Sequence, residues 1–294
     1  MGRELASTFP VARQTFEEAN DALGFDLADL CFHGPEEQLR LTEFTQPAIF
    51  TVSVAALRVL RERVAAADYY AGHSLGEYSA NVAAGALDFA DAARTVRRRG
   101  QLMQQAVPAG EGAMAAILGM PPENVFAVCS DAAREAGAVV EPANLNTPEQ
   151  TVISGAVAAV ERAVALARER GAKRAVMLQV SAPFHCSLMQ PAQDALAPIL
   201  EGIPFAPAQA PVVVNVDAAL VSDPAVLRDA LVRQVTGAVR WTESIQLLIA
   251  EGVTTFVEVG PGKVLTGLLR QIDRRQKCMN AEDPASLEKV LSFH

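Results

Sequence analysis

Residues Gly72-His73-Ser74-Leu75-Gly76 set a hydroxyl nucleophile between two glycines in the spacing G-x-S-x-G. Between a strand and a helix, that spacing makes a sharp, strained turn that lifts a serine Oγ clear of a sheet. The chemistry it suits is acyl transfer through a covalent ester on the serine. A helix starting just behind the turn aims free N–H groups and the positive end of its dipole at the site. The Leu75 N–H then becomes one donor of an oxyanion hole.

A serine hydroxyl needs a base, normally histidine. The chain has four, His33, His73, His185 and His294. His73 adjoins the serine, so its side chain is expected to point elsewhere. His33 lies in the polar loop FHGPEE, and His294 is the last residue. His185 remains, in Ser-Ala-Pro-Phe-His-Cys. An α/β-hydrolase would run Ser, then Asp or Glu, then His, with an HGGG-type loop ahead of the serine. No HGGG occurs here, and of Asp88, Asp91 and Asp131 none stands out as a partner for the histidine. A serine–histidine dyad, its imidazole oriented by a backbone carbonyl, is the alternative to a triad. Arg94, Arg97, Arg98 and Arg99 crowd one helical segment. Residues 94, 97 and 98 share a side, as a solvated face would, while 99 is rotated off. An arginine facing the cleft would hold a substrate carboxylate bidentately, which lysine does less specifically.

The elements that must position these groups follow from periodicity and punctuation. Amphipathic helices are predicted over 11–30 and 46–66. Tyr69-Tyr70-Ala71 reads as a short strand entering the serine turn, and 77–84 as the helix behind it. A helix over 88–106 enters at Asp88 and stops before Pro108. From 113 to 180 the texture changes to strand 113–118, helix 123–136, strand 139–144, strand 151–154, helix 156–170 and strand 174–180. That βαββαβ order is the ferredoxin-like, split-βαβ unit. After Ser181-Ala-Pro183, helix 188–200, strand 212–215, helices near 224–234 and 242–250, strand 256–259 and a last helix through Arg270 restore α/β alternation. The small unit looks inserted into a larger α/β domain, and His185 sits where it rejoins, a place where sites concentrate.

Composition narrows the function classes. The 294 residues are 50% hydrophobic and 20% charged, which excludes intrinsic disorder. Net charge is −9 and aromatic content 5%, so a nucleic-acid binder is disfavoured on charge and on base stacking. Cys31, Cys129, Cys186 and Cys278 form no C-x-x-C pair, so reduced thiols and no metal site are expected. The N-terminus has no apolar signal region and no run approaches a membrane span, which gives a soluble, cytoplasmic expectation without membrane contact.

Taken together, AGHSLGEYSANVAAGALDFADA (71–92), RRRGQLMQQAVPAGEGAMAAILG (97–119), APFHCSLMQPA (182–192), VVVNVDA (212–218) and EVGPGKVLTGLLR (258–270) are highly specific. With TQPAIFTVSVAALRVL (45–60), RDALVRQV (228–235) and VRWTESI (239–245), they make the chain resemble the malonyl-CoA:acyl-carrier-protein transacylases of bacterial fatty-acid synthesis. The resemblance runs from about residue 3 to the C-terminus. It implies an α/β-hydrolase-like catalytic domain, residues 1–107 and 183–294, interrupted by a ferredoxin-like subdomain, 108–182. It implies Ser74 as nucleophile, His185 as base, Arg99 as the clamp for the malonyl carboxylate, and Gln234 as the residue whose main-chain carbonyl orients the histidine. Phe184 resembles the bulky residue that disfavours an α-methyl branch in malonyl-selective members. The family opens on a strand and a Phe-Pro-Gly-Gln-Gly-Ser-Gln segment carrying the second oxyanion donor, whereas the match here starts at Met1-Gly2-Arg3-Glu4-Leu5. Two expectations follow: a start codon placed late, or a chain that lacks this strand and donor.

The implied reaction is ping-pong, with malonyl-CoA as donor and acyl carrier protein as acceptor, coenzyme A serving as a substrate and no cofactor required. A monomer is expected. Carrier proteins of this kind are acidic, so an acidic enzyme needs local basic patches. Arg168/Arg170/Lys173/Arg174 and Lys263/Arg270/Arg274/Arg275/Lys277 are the candidates. Two other readings stay open: a serine esterase or thioesterase, and a truncated relic that docks a carrier protein with weak activity.

Overall fold

The structure is a computed structural model and describes residues 1–64 and 66–292. Where periodicity predicts one helix over 11–30, two form, α2 (Pro10–Leu23) and α3 (Leu27–His33), preceded by a short α1 (Arg3–Thr8). The break is local. Asp26 accepts from the Asp29 N–H and starts a new helix, while Asn20 Oδ1 takes the Ala28 N–H and ties the two together. After α4 (Glu36–Leu39), α5 runs over Thr42–Arg61, offset from the expected 46–66; residue 65 of that span lies outside the described residues. Strand β1 (Tyr70–Ala71), α6 (Gly76–Ala83) and α7 (Phe89–Gln105) follow, with the Asp88 side chain capping α7 through the Ala90 and Asp91 N–H groups.

The middle of the chain has the predicted order, β2 (Gly112–Leu118), α8 (Pro122–Ala136), β3 (Val140–Thr147), β4 (Gln150–Ala156), α9 (Val157–Glu169) and β5 (Arg174–Met177). The strands form one four-stranded antiparallel sheet in the order β3-β4-β2-β5. Alternation along β2 divides its faces. Ala113, Ala115 and Ile117 pack against α8 and α9, whereas Met114 and Ala116 join Ala143, Val152 and Phe184 on the opposite face. The last strand ends at Met177 rather than Val180; Leu178 still donates to Met114, and the chain then turns away.

A 3₁₀ turn (Ser187–Met189) leads into α10 (Gln190–Glu201), β6 (Val212–Val214), β7 (Ala219–Val221), α11 (Pro224–Arg233), α12 (Trp241–Ala250), β8 (Thr255–Val259), α13 (Val264–Ile272), β9 (Lys277–Ala281) and α14 (Pro284–Leu291). Short strands β7 and β9 and helix α14 are not predicted from the sequence. Strand β6 pairs parallel to β1 and antiparallel to β7, and β8 pairs parallel to β9. The largest core gathers α2, α5, α7 and α10 around Phe16, Phe50, Val54 and Met103. The architecture is mixed α/β, as expected. Among the described residues no helix is long and apolar enough to cross a membrane.

The parallel pairing of β1 with β6 is what positions the site. Parallel neighbours release the chain at the same edge, where open α/β sheets place their ligands. The turn after β1 carries Ser74, and the residue after β6 is Asn215.

Candidate active site

Ser74 adopts φ 51°, a left-handed conformation costly for a non-glycine residue and tolerated where the surroundings over-determine it. The surroundings here are specific. A Cβ on Gly72 would fall 1.9 Å from the Gly76 carbonyl oxygen, so the turn closes only with glycine at 72. Asn215 braces the turn on both sides of His73, its Oδ1 accepting from the Ser74 N–H at 2.7 Å and its Nδ2 donating to the Gly72 carbonyl at 2.7 Å. The N–H groups of Gly76, Glu77 and Tyr78 donate back to His73, Ser74 and Leu75. The Leu75 N–H has no such acceptor among the described residues, and it lies at the N-terminal end of α6, where a developing oxyanion would be met.

His185 comes to Ser74 from the far end of the four-stranded unit. Its Nε2 lies 2.7 Å from Ser74 Oγ and its Nδ1 lies 2.9 Å from the Gln234 main-chain carbonyl. A carbonyl only accepts, so Nδ1 carries the proton and Nε2 presents a lone pair to the hydroxyl. Burial, and then the Arg99 charge, push the imidazole down to about 3, so it is neutral at neutral pH and its Nε2 lone pair is free to accept a proton. The other histidines lie elsewhere. His73 faces Asn146 Oδ1 at 2.8 Å and tilts against Trp241, and His33 pairs with exposed Asp29. His294 lies outside the described residues. None of the three candidate acids reaches His185: Asp88 caps α7, Asp91 pairs with Arg94, and Asp131 pairs with Arg134 and Arg170.

Of the four arginines on α7, Arg99 alone turns inward. Arg94 pairs with Asp91, Arg97 donates to Leu23 and lies over Phe25, and Arg98 donates to Gln101. Arg99 is only 2% exposed, and its Nη2 donates to Ser74 Oγ at 3.0 Å and to Gln234 Oε1 at 2.9 Å. Its Nη1 donates to Gln46 Oε1 at 2.7 Å. The neighbouring Gly100 allows this approach, since a Cβ there would lie 2.7 Å from the Thr42 carbonyl at the start of α5, the helix that carries Gln46. Burial lowers the Arg99 pKa, with Tyr78 and Glu77 opposing, and the guanidinium stays charged.

Gln234 is fully buried, not an exposed helix-end residue, and its side chain bridges Ser74, Glu77 and Arg99. Three groups of the site escape the sequence reading. Gln46 is a polar residue on the buried side of α5. Asn215 ends the apolar run VVVN at a strand's C-terminal end. Glu77 sits three residues beyond the serine and is fully buried. Each had a signal of the same kind, a polar residue placed where the pattern calls for an apolar one.

Four of the nine cations in the two basic clusters form ion pairs within the chain. Arg170 pairs with Asp131, Lys173 with Glu149, Lys263 with Glu282 and Arg275 with Asp273, while Arg168 donates to the Ala175 carbonyl. Exposed Arg174, Arg270 and Arg274 form no ion pair among the described residues.

A model of the acyl transferase domain family matches residues 1–287. The malonyl CoA-acyl carrier protein transacylase of Bacillus subtilis (strain 168) is 50% identical over 291 residues, 99% of this chain and 92% of that protein. The protein of the same name from Escherichia coli (strain K12) is 48% identical over 291 residues, 99% of this chain and 94% of its own. An acyl carrier protein S-malonyltransferase from Vibrio cholerae superposes with a TM-score of 0.96 at 49% identity, covering 99% of this chain and 94% of that one. A malonyl-transacylase solved in complex with a type II PKS acyl-carrier protein gives 0.97 at 48% identity, covering 100% and 95%.

Proposed function

The chain belongs to the acyl transferase domain family, and from that premise we propose that it moves a malonyl group from coenzyme A to the phosphopantetheine thiol of an acyl carrier protein, in fatty-acid biosynthesis, through an ester on Ser74. The observation that carries the reading is a buried guanidinium 3.0 Å from the nucleophile's oxygen. In a malonyl ester of Ser74, one carbonyl carbon and one methylene separate Oγ from the free carboxylate. A cation within hydrogen-bond reach of Oγ is therefore within reach of that carboxylate. An esterase or thioesterase acting on neutral acyl groups gains nothing from a buried cation there, and desolvating one is costly.

Ser74 Oγ attacks the thioester carbonyl while its proton passes to His185 Nε2, and the Leu75 N–H stabilises the oxyanion. Collapse breaks the C–S bond, and the coenzyme A sulfur takes the proton back from Nε2. The carrier-protein thiol then gives its proton to Nε2 and attacks the serine ester, and Ser74 Oγ leaves with that proton. The Gln234 carbonyl supports the transient imidazolium in both halves. Phe184, half-buried beside His185 on the apolar sheet face, supports an unbranched acyl group. We read residues 108–182 as a ferredoxin-like subdomain inserted into an α/β-hydrolase-like catalytic domain of 1–107 and 183–294; the strand order β3-β4-β2-β5 supports that division. For the acidic carrier protein, Arg174, Arg270 and Arg274 are the cations we assign to docking.

The test is direct. Incubation with malonyl-CoA should add one malonyl mass to the intact protein, fragmentation should place it on Ser74, and a holo carrier protein should discharge it. An unmodified protein, or an adduct on another residue, overturns the reading.

The pH dependence has a definite sign. His185 serves as base only while neutral, so activity is lost as pH falls through its pKa. In the free protein that value is held near 3 by burial and by Arg99. A malonyl carboxylate on Arg99 cancels the neighbouring positive charge and raises the imidazole pKa in the complex. The acid limb of kcat should therefore lie at higher pH than the acid limb of kcat/KM. Coincident limbs near the ordinary histidine value would contradict this electrostatic assignment.

A further inference from the structure

Glu77 lies in the first turn of α6 and is fully buried, yet it takes no part in the steps above. Its Oε2 accepts two hydrogen bonds from distant parts of the chain, the Asn215 backbone N–H at 2.9 Å and Gln234 Nε2 at 2.8 Å. Those two residues hold the reacting pair. Asn215 fixes the strained backbone of Ser74 through its side chain, and Gln234 orients His185 through its main-chain carbonyl. Gln234 Nε2 also donates to the Ser74 carbonyl at 3.0 Å, so the carboxyl, the amide and the elbow form one closed bridge.

We propose that Glu77 is a positioning residue for acyl transfer: one of its oxygens couples the Asn215 and Gln234 supports, so that Ser74 Oγ and His185 Nε2 stay in register. The role depends on reach, not on charge. Both bonds fall on Oε2, while Oε1 is buried with no hydrogen-bond partner. Burial raises the carboxyl to about 7, against the lowering effect of the two donors and Arg99. When a proton is bound, Oε1 is the oxygen free to carry it, and Oε2 remains an acceptor in either state. An amide in place of the carboxyl would still offer that acceptor oxygen.

The inference rests on the serine-ester reading, so the first measurement is malonyl adduct formation by the wild-type protein; its absence sinks that reading and leaves Glu77 with nothing to position. Given the adduct, rapid-quench rates of its formation are compared for Glu77→Gln and Glu77→Asp. Glu77→Gln keeps the oxygen in place and removes the charge, and it should stay within about tenfold of wild type. Glu77→Asp keeps the charge but withdraws the oxygen by one methylene, and it should slow ester formation by about 10²-fold, with the KM for malonyl-CoA little changed. Thermal melts confirm that each variant is folded; if aspartate is not tolerated, Glu77→Met, which fills the space without an acceptor oxygen, takes its place and should show the same loss. The reverse order of activities, a loss confined to KM, or wild-type rates in Glu77→Asp would each overturn the proposal.

Discussion

Ser74→Ala and His185→Ala should each lower malonyl transfer by roughly 10⁵- to 10⁶-fold, and the double variant should be no slower than either single one. Losses of that size are known for serine acyl-enzymes in which nucleophile and base act as a unit. The geometry argues for the same coupling here. Ser74 Oγ is 2.7 Å from Nε2, and the imidazole is neutral because it is buried beside a cation. The hydroxyl gains nucleophilicity only through that contact, so removing either partner removes the same advantage. Binding should behave differently. The groups that would hold a malonyl carboxylate are on Arg99, which keeps its bonds to Gln46 and Gln234 when the hydroxyl is gone. Titration calorimetry should therefore find malonyl-CoA bound by Ser74→Ala about as tightly as by wild type. Additive losses in the double variant would show that the two residues do not act as one unit.

Arg99→Ala should cost about 3–5 kcal/mol of interaction with a malonyl group, the usual consequence of removing one partner from a buried charge pair. That is roughly two to nearly four decades in kcat/KM for malonyl-CoA. An uncharged acyl thioester such as acetyl-CoA has no carboxylate to lose, and its kcat/KM should change far less. Removing the cation also relieves the downward pull on the His185 pKa, which makes the imidazole a stronger base. The ratio of the two substrates is the informative quantity, and turnover of the neutral one reports that the site remains folded. Arg99→Lys should fall in between, because an ammonium supplies charge without the planar fork. Equal losses with both substrates would remove Arg99 from substrate selection.

Much of the fold was legible because it is set by short-range rules. The Asp88 cap, the G-x-S-x-G turn and the βαββαβ succession each depend on residues a few positions apart, and each forms close to where the pattern puts it. The misplacements are local too. A helix read over 11–30 breaks because Asp26 can cap a new one, and hydrophobic periodicity does not register a side chain that bonds a backbone N–H. Strand β7 is three residues long and uniformly half-buried, and β9 grades from exposed to buried, so neither shows alternation.

The sequence by itself determined the kind of chemistry, a serine turn backed by a helix, with one histidine left over and arginines on a nearby face. Only the tertiary structure decided which groups meet. Pairing β1 with β6 brings Asn215 to Ser74, and the close packing of α7 on α5 beside Gly100 sets Gln46 against Arg99. The turn at His185 and the end of α11 bring an imidazole to a main-chain carbonyl, which takes the place expected of an acid. Such partners are tens to more than a hundred residues apart. Periodicity reports which face of an element is buried, whereas the choice of partner across a cleft depends on the packing of whole elements, where a methylene at Gly72 or Gly100 would already be too much.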